Sequence, residues 1–88
     1  MPHQQPDRTL LVGNWRARVE NAKASYKSAV AHSRQLSDDY RTQEIPRADS
    51  GFALRHAIAV ENEARSRYID VLRIFTDLIV SGKLPPED

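Results

Sequence analysis

Apolar and small residues recur in steps of three and four over two long segments of the chain. The row in the first segment, called the first seam, contains Val12, Trp15, Val19, Ala22, Tyr26, Ala29, Ser33, Leu36 and Tyr40. The row in the second segment, called the second seam, contains Leu54, Ala57, Glu61, Ala64, Tyr68, Val71, Phe75 and Leu78. Such spacing keeps side chains on one face of an α-helix and is typical of helices packed side by side. The pattern therefore predicts two long helices whose seams face each other.

Prolines bound these two segments, at positions 2, 6, 46, 85 and 86. Because a proline removes a helix hydrogen bond and restricts the residue before it, helices are expected between the prolines. We predict a flexible tail over residues 1–6, a helical hairpin over residues 7–84 and a second tail over residues 85–88. The expected parts of the hairpin are a first helix, a loop and a second helix, over about 8–43, 44–50 and 51–81 respectively.

Individual residues indicate where these helices begin and end. Asp49 or Ser50 is a favourable N-cap for the second helix, and Gly82 predicts a left-handed C-cap. Leu10–Val12 is either the first turn of the first helix or an extended arm, because the Gly13–Asn14 pair offers a later helix start. The sequence leaves that choice open.

The second helix carries more apolar surface than one neighbouring helix covers. Between residues 68 and 80 its only charged residues are Asp70, Arg73 and Asp77, whose spacing places them on one face. A helix packed against one neighbour needs an apolar arc of a little over ~100°, and this segment offers roughly twice that arc. A further row beside the second seam, called the stripe, contains Ile58, Arg65, Ile69, Leu72, Thr76 and Ile79. Because burying each large apolar side chain contributes roughly 1.5–3 kcal/mol, the stripe is predicted to bind a partner.

These rows predict an all-α, antiparallel two-helix hairpin that dimerises through the stripe into a four-helix bundle. In the alternative form, another helical protein covers the stripe, and the chain is a subunit or small regulator of a larger assembly. The facing seams admit two registers, both of which pair large residues with small ones as close packing requires. The first register pairs Tyr26 with Ala64 and Ala22 with Tyr68, and the second pairs Tyr26 with Val71 and Ala29 with Tyr68.

Glu61 is a carboxylate at a seam position among apolar neighbours. One interpretation makes it a metal ligand or a proton-handling group. The preferred interpretation makes it a register device paired with Arg65, Arg34 or Ser33, since polar residues in a seam set partner and alignment. One carboxylate without convergent ligands does not make a site, so no catalytic residue, metal site or cofactor is predicted.

Two histidines lie outside the N-terminal tail, His32 and His56. Neither belongs to the Glu-x-x-His pair that di-metal helical bundles use. Dimeric two-helix hairpins also occur in sensor kinases, which carry a reactive histidine on the first helix next to an acid. His32 is on the first predicted helix, but Ser33 follows it and no acid is adjacent. Phosphotransfer through His32 is therefore kept only as a minor alternative, without a family resemblance.

Charge bears on the choice of partner. Thirteen Lys and Arg against twelve Asp and Glu give a net charge of +1, which argues against a dedicated nucleic-acid binder. The first helix is nonetheless rich in basic residues, namely Arg16, Arg18, Lys23, Lys27, Arg34 and Arg41. We interpret them as spread around the helix among acidic residues, and hence as a solvated face. A nucleic-acid-associated helical protein that uses this outer face is the alternative function.

The remaining composition narrows the class of protein. The chain has no cysteine, which excludes disulfides and thiolate chemistry. No apolar run approaches the ~20 residues of a membrane span, and the start MPHQQPDRT has no signal-peptide character. No Ser/His/Asp arrangement or phosphate-binding glycine loop is visible. The predicted function is a small, non-enzymatic interaction or oligomerisation module of the cytoplasm, without membrane contact.

Overall fold

The described part of the chain, residues 8–42 and 48–86, consists of two long helices in this computed structural model. Helix α1 spans Arg8–Thr42 and helix α2 spans Ala48–Ser81. The helices pack side by side as an antiparallel hairpin, which confirms the predicted all-α fold. Dimerisation into a four-helix bundle stays a prediction.

The start of α2 differs from the predicted boundary. Helix α2 begins at Ala48, three residues before the expected position 51, so Asp49 and Ser50 lie within its first turn instead of preceding it. Ala48 is a strong helix former, which favours its inclusion in α2. At the other end of the hairpin, Leu10–Val12 belongs to α1 and is not an extended arm. The described residues leave out 1–7, 43–47 and 87–88. The predicted N-terminal tail, the first part of the predicted loop and the end of the predicted C-terminal tail therefore lie outside them.

In the described part of the chain, the buried side chains all belong to the two seams. They are Trp15, Val19, Ala22, Ser33, Ala57 and Leu78. The other seam residues are half-buried, apart from Tyr40 near the loop, which is exposed. Two helices share one line of contact and have no third layer above it, so most seam residues keep some contact with solvent. The hairpin therefore has a narrow core and two open sides.

One contact between the two seams joins two aromatic residues. The rings of Tyr26 and Tyr68 stack with their centres 6.2 Å apart and their planes 26° from parallel. Tyr68 lies one helical turn from Ala64 and one turn from Val71, the two partners expected for Tyr26. Stacked rings bury flat surfaces against each other, so this contact joins two large residues of the seams. The choice between the two expected registers stays a prediction.

Helix α2 ends at a left-handed glycine, as predicted. Gly82 has a φ of 67°, and its N–H donates to the carbonyl of Leu78 at 3.1 Å. The N–H of Lys83 donates to the carbonyl of Asp77 at 3.2 Å. The Arg8 guanidinium also donates to the Leu78 carbonyl, over 3.5 Å, so a cation lies at the negative end of the α2 dipole. These contacts join the start of α1 to the end of α2.

After the cap, Lys83 and Leu84 are exposed, whereas the two prolines that follow contact the helices. Pro85 is half-buried, and Pro86 lines a groove together with Trp15 and Arg18. The sequence predicts both prolines in a free tail.

Candidate interaction surface

The stripe is exposed along one side of α2. The exposed fractions of its large apolar side chains are 44% for Ile58, 48% for Ile69, 39% for Leu72 and 43% for Ile79. Their spacing keeps them in one row on the flank of α2 that α1 does not cover. At 1.5 Å per residue, the row from Ile58 to Ile79 is about 31 Å long. The structure therefore leaves open to a further helix a largely apolar row, in which Arg65 separates Ile58 from the apolar cluster at Ile69, Leu72 and Ile79.

The two polar members of the stripe use their polar atoms inside the hairpin. The Thr76 hydroxyl donates to the carbonyl of Leu72 at 2.8 Å, one turn earlier in α2. Arg65 turns toward the seams: its Nε donates to the Tyr26 hydroxyl over 3.4 Å, and its Nη2 donates to Glu61 Oε2 over 3.3 Å. The Thr76 hydroxyl is thus engaged within α2, while the Arg65 side chain, 46% exposed, remains in contact with solvent.

Glu61 joins the two helices in the polar layer of the seams. The Ser33 hydroxyl donates to Glu61 Oε1 at 2.5 Å, while Oε2 accepts from Arg65. The Ser33 oxygen also lies 3.1 Å from the carbonyl oxygen of Val30, but a hydroxyl has one proton, and the charged carboxylate is the stronger acceptor. Of the three partners considered for Glu61, the structure shows Ser33 and Arg65. Both carboxylate oxygens are thus satisfied at a half-buried position.

Tyr26 holds the Arg65 guanidinium from the opposite helix. The guanidinium carbon lies 5.8 Å from the centre of the Tyr26 ring, which itself stacks on Tyr68. The hydrogen bond to the Tyr26 hydroxyl raises the pKa of Arg65 above its ordinary value, and the Glu61 charge adds to that rise. Arg65 therefore remains a cation whose position is set by contacts from both helices.

An open groove lies on the side of the hairpin opposite the stripe. The residues that line it identify the flank of each helix that faces this side. This groove, of about 880 Å³, is lined by Arg18, Asn21 and Ser25 of α1 and by Val60, Arg67 and Ile74 of α2, among others. On each helix these positions lie on one flank of the seam, and the stripe lies on the opposite flank of α2. The corresponding opposite flank of α1 therefore lies on the same side of the hairpin as the stripe.

That flank of α1 carries a row of basic residues. This row, called the basic edge, contains Arg16, Lys23, Lys27 and Arg34. Its steps of seven, four and seven keep its members on one face. Arg18 lies apart from them, with its guanidinium carbon 4.4 Å from the centre of the Trp15 ring. Four of the six basic residues of α1 thus share one flank, whereas Arg18 lies on the other, and the seven-residue steps are the sequence signal for the basic edge.

The basic edge faces solvent without acidic partners from the described residues. Arg16, Lys27 and Arg34 are exposed, and Lys23 is half-buried. The ion pairs between described residues are Arg41 with Asp38, Arg65 with Glu61 and Arg73 with Asp70. Glu20 is the one acid interleaved between Arg16 and Arg34 on this flank. The side of the hairpin that carries the stripe is therefore apolar along α2 and basic along α1.

The other candidate residues from the sequence are not brought together. His32 and His56 are both exposed, and Glu61 contacts Ser33, the residue that follows His32. Within residues 8–42 and 48–86, no three His, Asp or Glu side chains are grouped so that they could hold a metal ion. Asp70 and Arg73 form an exposed ion pair at 3.5 Å on the outer face of α2.

Comparison of the chain with protein-family models, with curated proteins and with solved structures gives no match. Neither described helix contains a stretch that is long and apolar enough to cross a membrane.

Proposed function

We propose that the hairpin is a small, non-enzymatic interaction module that docks onto another helical protein surface through the stripe of α2. A docked helical pair, from a second copy or from another protein, would complete a four-helix bundle. We place this function in the cytoplasm, since a chain without cysteine gains no disulfide from an oxidising compartment.

The exposed apolar row is the observation that carries this proposal. Four large apolar side chains lie in line on α2, while the polar members of the stripe form hydrogen bonds inside the chain. Single exposed apolar residues are normal, but a contiguous row is typical of an interaction site. Burying the exposed remainder contributes roughly 3–5 kcal/mol, against about 4–15 kcal/mol for the lost freedom of two associating molecules. A partner must therefore cover more than the stripe.

The basic edge favours nucleic acid as a second candidate partner. Four cations in a row suit a phosphate backbone, whose contacts dominate nucleic-acid affinity. A bound phosphate backbone would leave the neighbouring stripe in water, however. A helical protein accounts for both rows, whereas nucleic acid accounts for one.

A photo-crosslinking residue at position 69 tests the proposal in the cells that make this protein. The matched position is 60, because Ile69 and Val60 are similarly exposed, at 48% and 44%, but lie on opposite sides of the hairpin. We expect a discrete protein adduct from position 69 and none from position 60. Mass spectrometry of the adduct then distinguishes a second copy from a different protein.

Paired substitutions connect that adduct to the stripe. Leu72→Asp together with Ile79→Asp should abolish the adduct at position 69, because two carboxylates would be buried without partners. Val60→Asp together with Val80→Asp adds the same charge at exposed positions off the stripe and should leave the adduct intact. Circular dichroism should show that both variants remain helical. Equal adducts from positions 60 and 69, or an adduct that survives the stripe substitutions, would contradict the proposal.

A further inference from the structure

A partner docked on the stripe must also contact the basic edge. A stable interface covers about 800 Å² per partner, which is more than one row of half-exposed side chains supplies. The surface beside the stripe on the same side of the hairpin is the flank of α1 that carries the basic edge. An occupant large enough to be held by the stripe therefore lies over these cations as well.

The charges of the basic edge require a counter-charge from outside the described chain. Arg16, Lys23, Lys27 and Arg34 form no ion pair with another described residue, and Glu20 is the one acid between them. Arg65, within the stripe, is already paired with Glu61. Covering like charges without compensation opposes association, whereas opposite charge favours it and sets the orientation of the partner. The side that carries the stripe thus selects an acidic surface.

We propose that this side of the hairpin binds an amphipathic α-helix of a different protein, with an apolar face for the stripe and a row of Asp or Glu for the basic edge. This inference rests on the proposed function and names the chemistry of its partner. The bound helix lies along the stripe for about 31 Å, which corresponds to about 21 residues. Its acidic row faces α1, so the cations of the basic edge provide both specificity and orientation.

A second copy of this chain fits the same side less well. A two-fold interface brings the same patch of both copies together. Each copy would bring the four cations of the basic edge and one interleaved acid, Glu20, into the contact. Among residues 8–42 and 51–86, no row of acids on this side complements them, since Asp38 is paired with Arg41. Charge thus favours a different protein over a homodimer.

An anionic membrane surface would satisfy the basic edge but not the stripe. A helix that binds a bilayer surface buries an apolar face at the boundary between headgroups and acyl chains. The large side chains of the stripe are 39–48% exposed, and the charged Arg65 stands within the same row. A row that a cation interrupts fits the ridge of a helix better than it fits lipid.

Two designed peptides test the acidic partner directly, with the purified full chain as the binding protein. Both are amphipathic helices of about 28 residues with the same Leu/Ile face; one carries Glu on its flanks and the other carries Lys. Fluorescence anisotropy of labelled peptide measures each affinity. We expect the Glu peptide to bind at least roughly tenfold more tightly than the Lys peptide, and its affinity to fall as salt is added.

Charge reversal on the hairpin supplies the matched pair of variants. Lys23→Glu with Lys27→Glu should reverse the preference, so that the Lys peptide becomes the tighter ligand by roughly tenfold. Arg67→Glu with Arg73→Glu makes the same change in net charge away from the basic edge and should preserve the preference for the Glu peptide. If peptide affinity depended on net charge alone, the preference between the two peptides would change equally in both variants.

Other outcomes separate this inference from the proposed function. If both peptides bind equally and Leu72→Asp with Ile79→Asp abolishes both, the stripe docks helices but the acidic partner is wrong. The acidic partner is equally wrong if the Glu peptide does not bind, or if a position-69 crosslink joins two copies of this chain. It is also wrong if phosphatidylserine vesicles or a DNA duplex bind the basic edge more tightly than the Glu peptide. If the stripe substitutions leave peptide binding unchanged, the proposed function fails together with the inference.

Discussion

The second seam and the stripe are two rows of one helix, built from similar residues at similar spacing, but they differ in burial. Leu78 of the second seam is 1% exposed, whereas Ile79 of the stripe, the next residue, is 43% exposed. The difference lies in what faces them, because α1 has one apolar row and α2 has two. A two-helix hairpin covers one row of each helix, so the extra row on α2 is left for an outside surface.

Polar residues in the two rows also differ in where their hydrogen-bond partners lie. Glu61, in the second seam, takes one of its hydrogen bonds across the hairpin, from Ser33 of α1. Thr76, in the stripe, takes its hydrogen bond within its own helix, from its hydroxyl to the Leu72 carbonyl. The polar layer of the seam therefore aligns α1 with α2. The hydrogen bond of Thr76 stays within α2, so it does not affect the alignment of the two helices.

Neighbouring truncations in the two rows give the largest contrast. Leu78→Ala should lower the free energy of unfolding by about 2–5 kcal/mol, since it opens a cavity at the most enclosed side chain. Ile79→Ala should lower it by roughly 1 kcal/mol or less, because the side chain is already half in water. Urea unfolding followed by circular dichroism measures both, at protein concentrations low enough to prevent association. Equal losses would show that the two rows do not differ as described.

Removal of the hydroxyl in the polar layer should have the next largest effect. Ser33→Ala leaves Glu61 Oε1 without its donor at a half-buried position, and we expect a loss of about 1–2 kcal/mol in the free energy of unfolding. Combining Ser33→Ala with Glu61→Leu should recover most of that loss, because an apolar pair leaves no polar group unsatisfied. The same urea titrations decide the point. If the double variant were as unstable as Ser33→Ala alone, Glu61 would contribute to stability through more than its hydrogen bond with Ser33.

Gly82 caps α2 one turn after Leu78 and Ile79, the last residues of the second seam and of the stripe. Gly82→Ala should lower the free energy of unfolding by about 1–2 kcal/mol, because φ is +67° there and a side chain disfavours that region. Gly13→Ala is the control: no atom lies within 4 Å of the added Cβ, and an alanine inside a helix should raise stability by roughly 0.5–1 kcal/mol. Thermal unfolding measures both. A loss at position 13 would contradict the helical assignment of that turn.

The smallest effect on stability is expected within the stripe. Thr76→Val keeps the shape of the side chain and should change the free energy of unfolding by about 0.5 kcal/mol or less. The variant should bind the Glu peptide at least as tightly as the parent chain, because the Thr76 hydroxyl is engaged with Leu72 and does not face a partner. Anisotropy titrations test this. Weaker binding would show that the hydroxyl contributes to docking.

Several features of the fold and surface follow from local sequence. The prolines and the seven-residue repeats predict two helices, and Gly82 predicts the cap that the structure shows. The stripe is identified because Ile69, Leu72 and Ile79 recur on a flank beside the second seam. Periodicity along one helix places residues on faces of that helix, and no knowledge of the neighbour is needed.

By itself, then, the sequence determined two helices, their seams and a surplus apolar row on α2. Only the tertiary structure decided that Tyr26 stacks on Tyr68, because several registers bury similar area and the choice depends on how particular side chains fit. It also decided that the basic edge lies on the same side as the stripe, since the relation between flanks of two helices exists only once the helices are packed. That relation turns a surplus apolar row into a surface with a preferred charge for its partner.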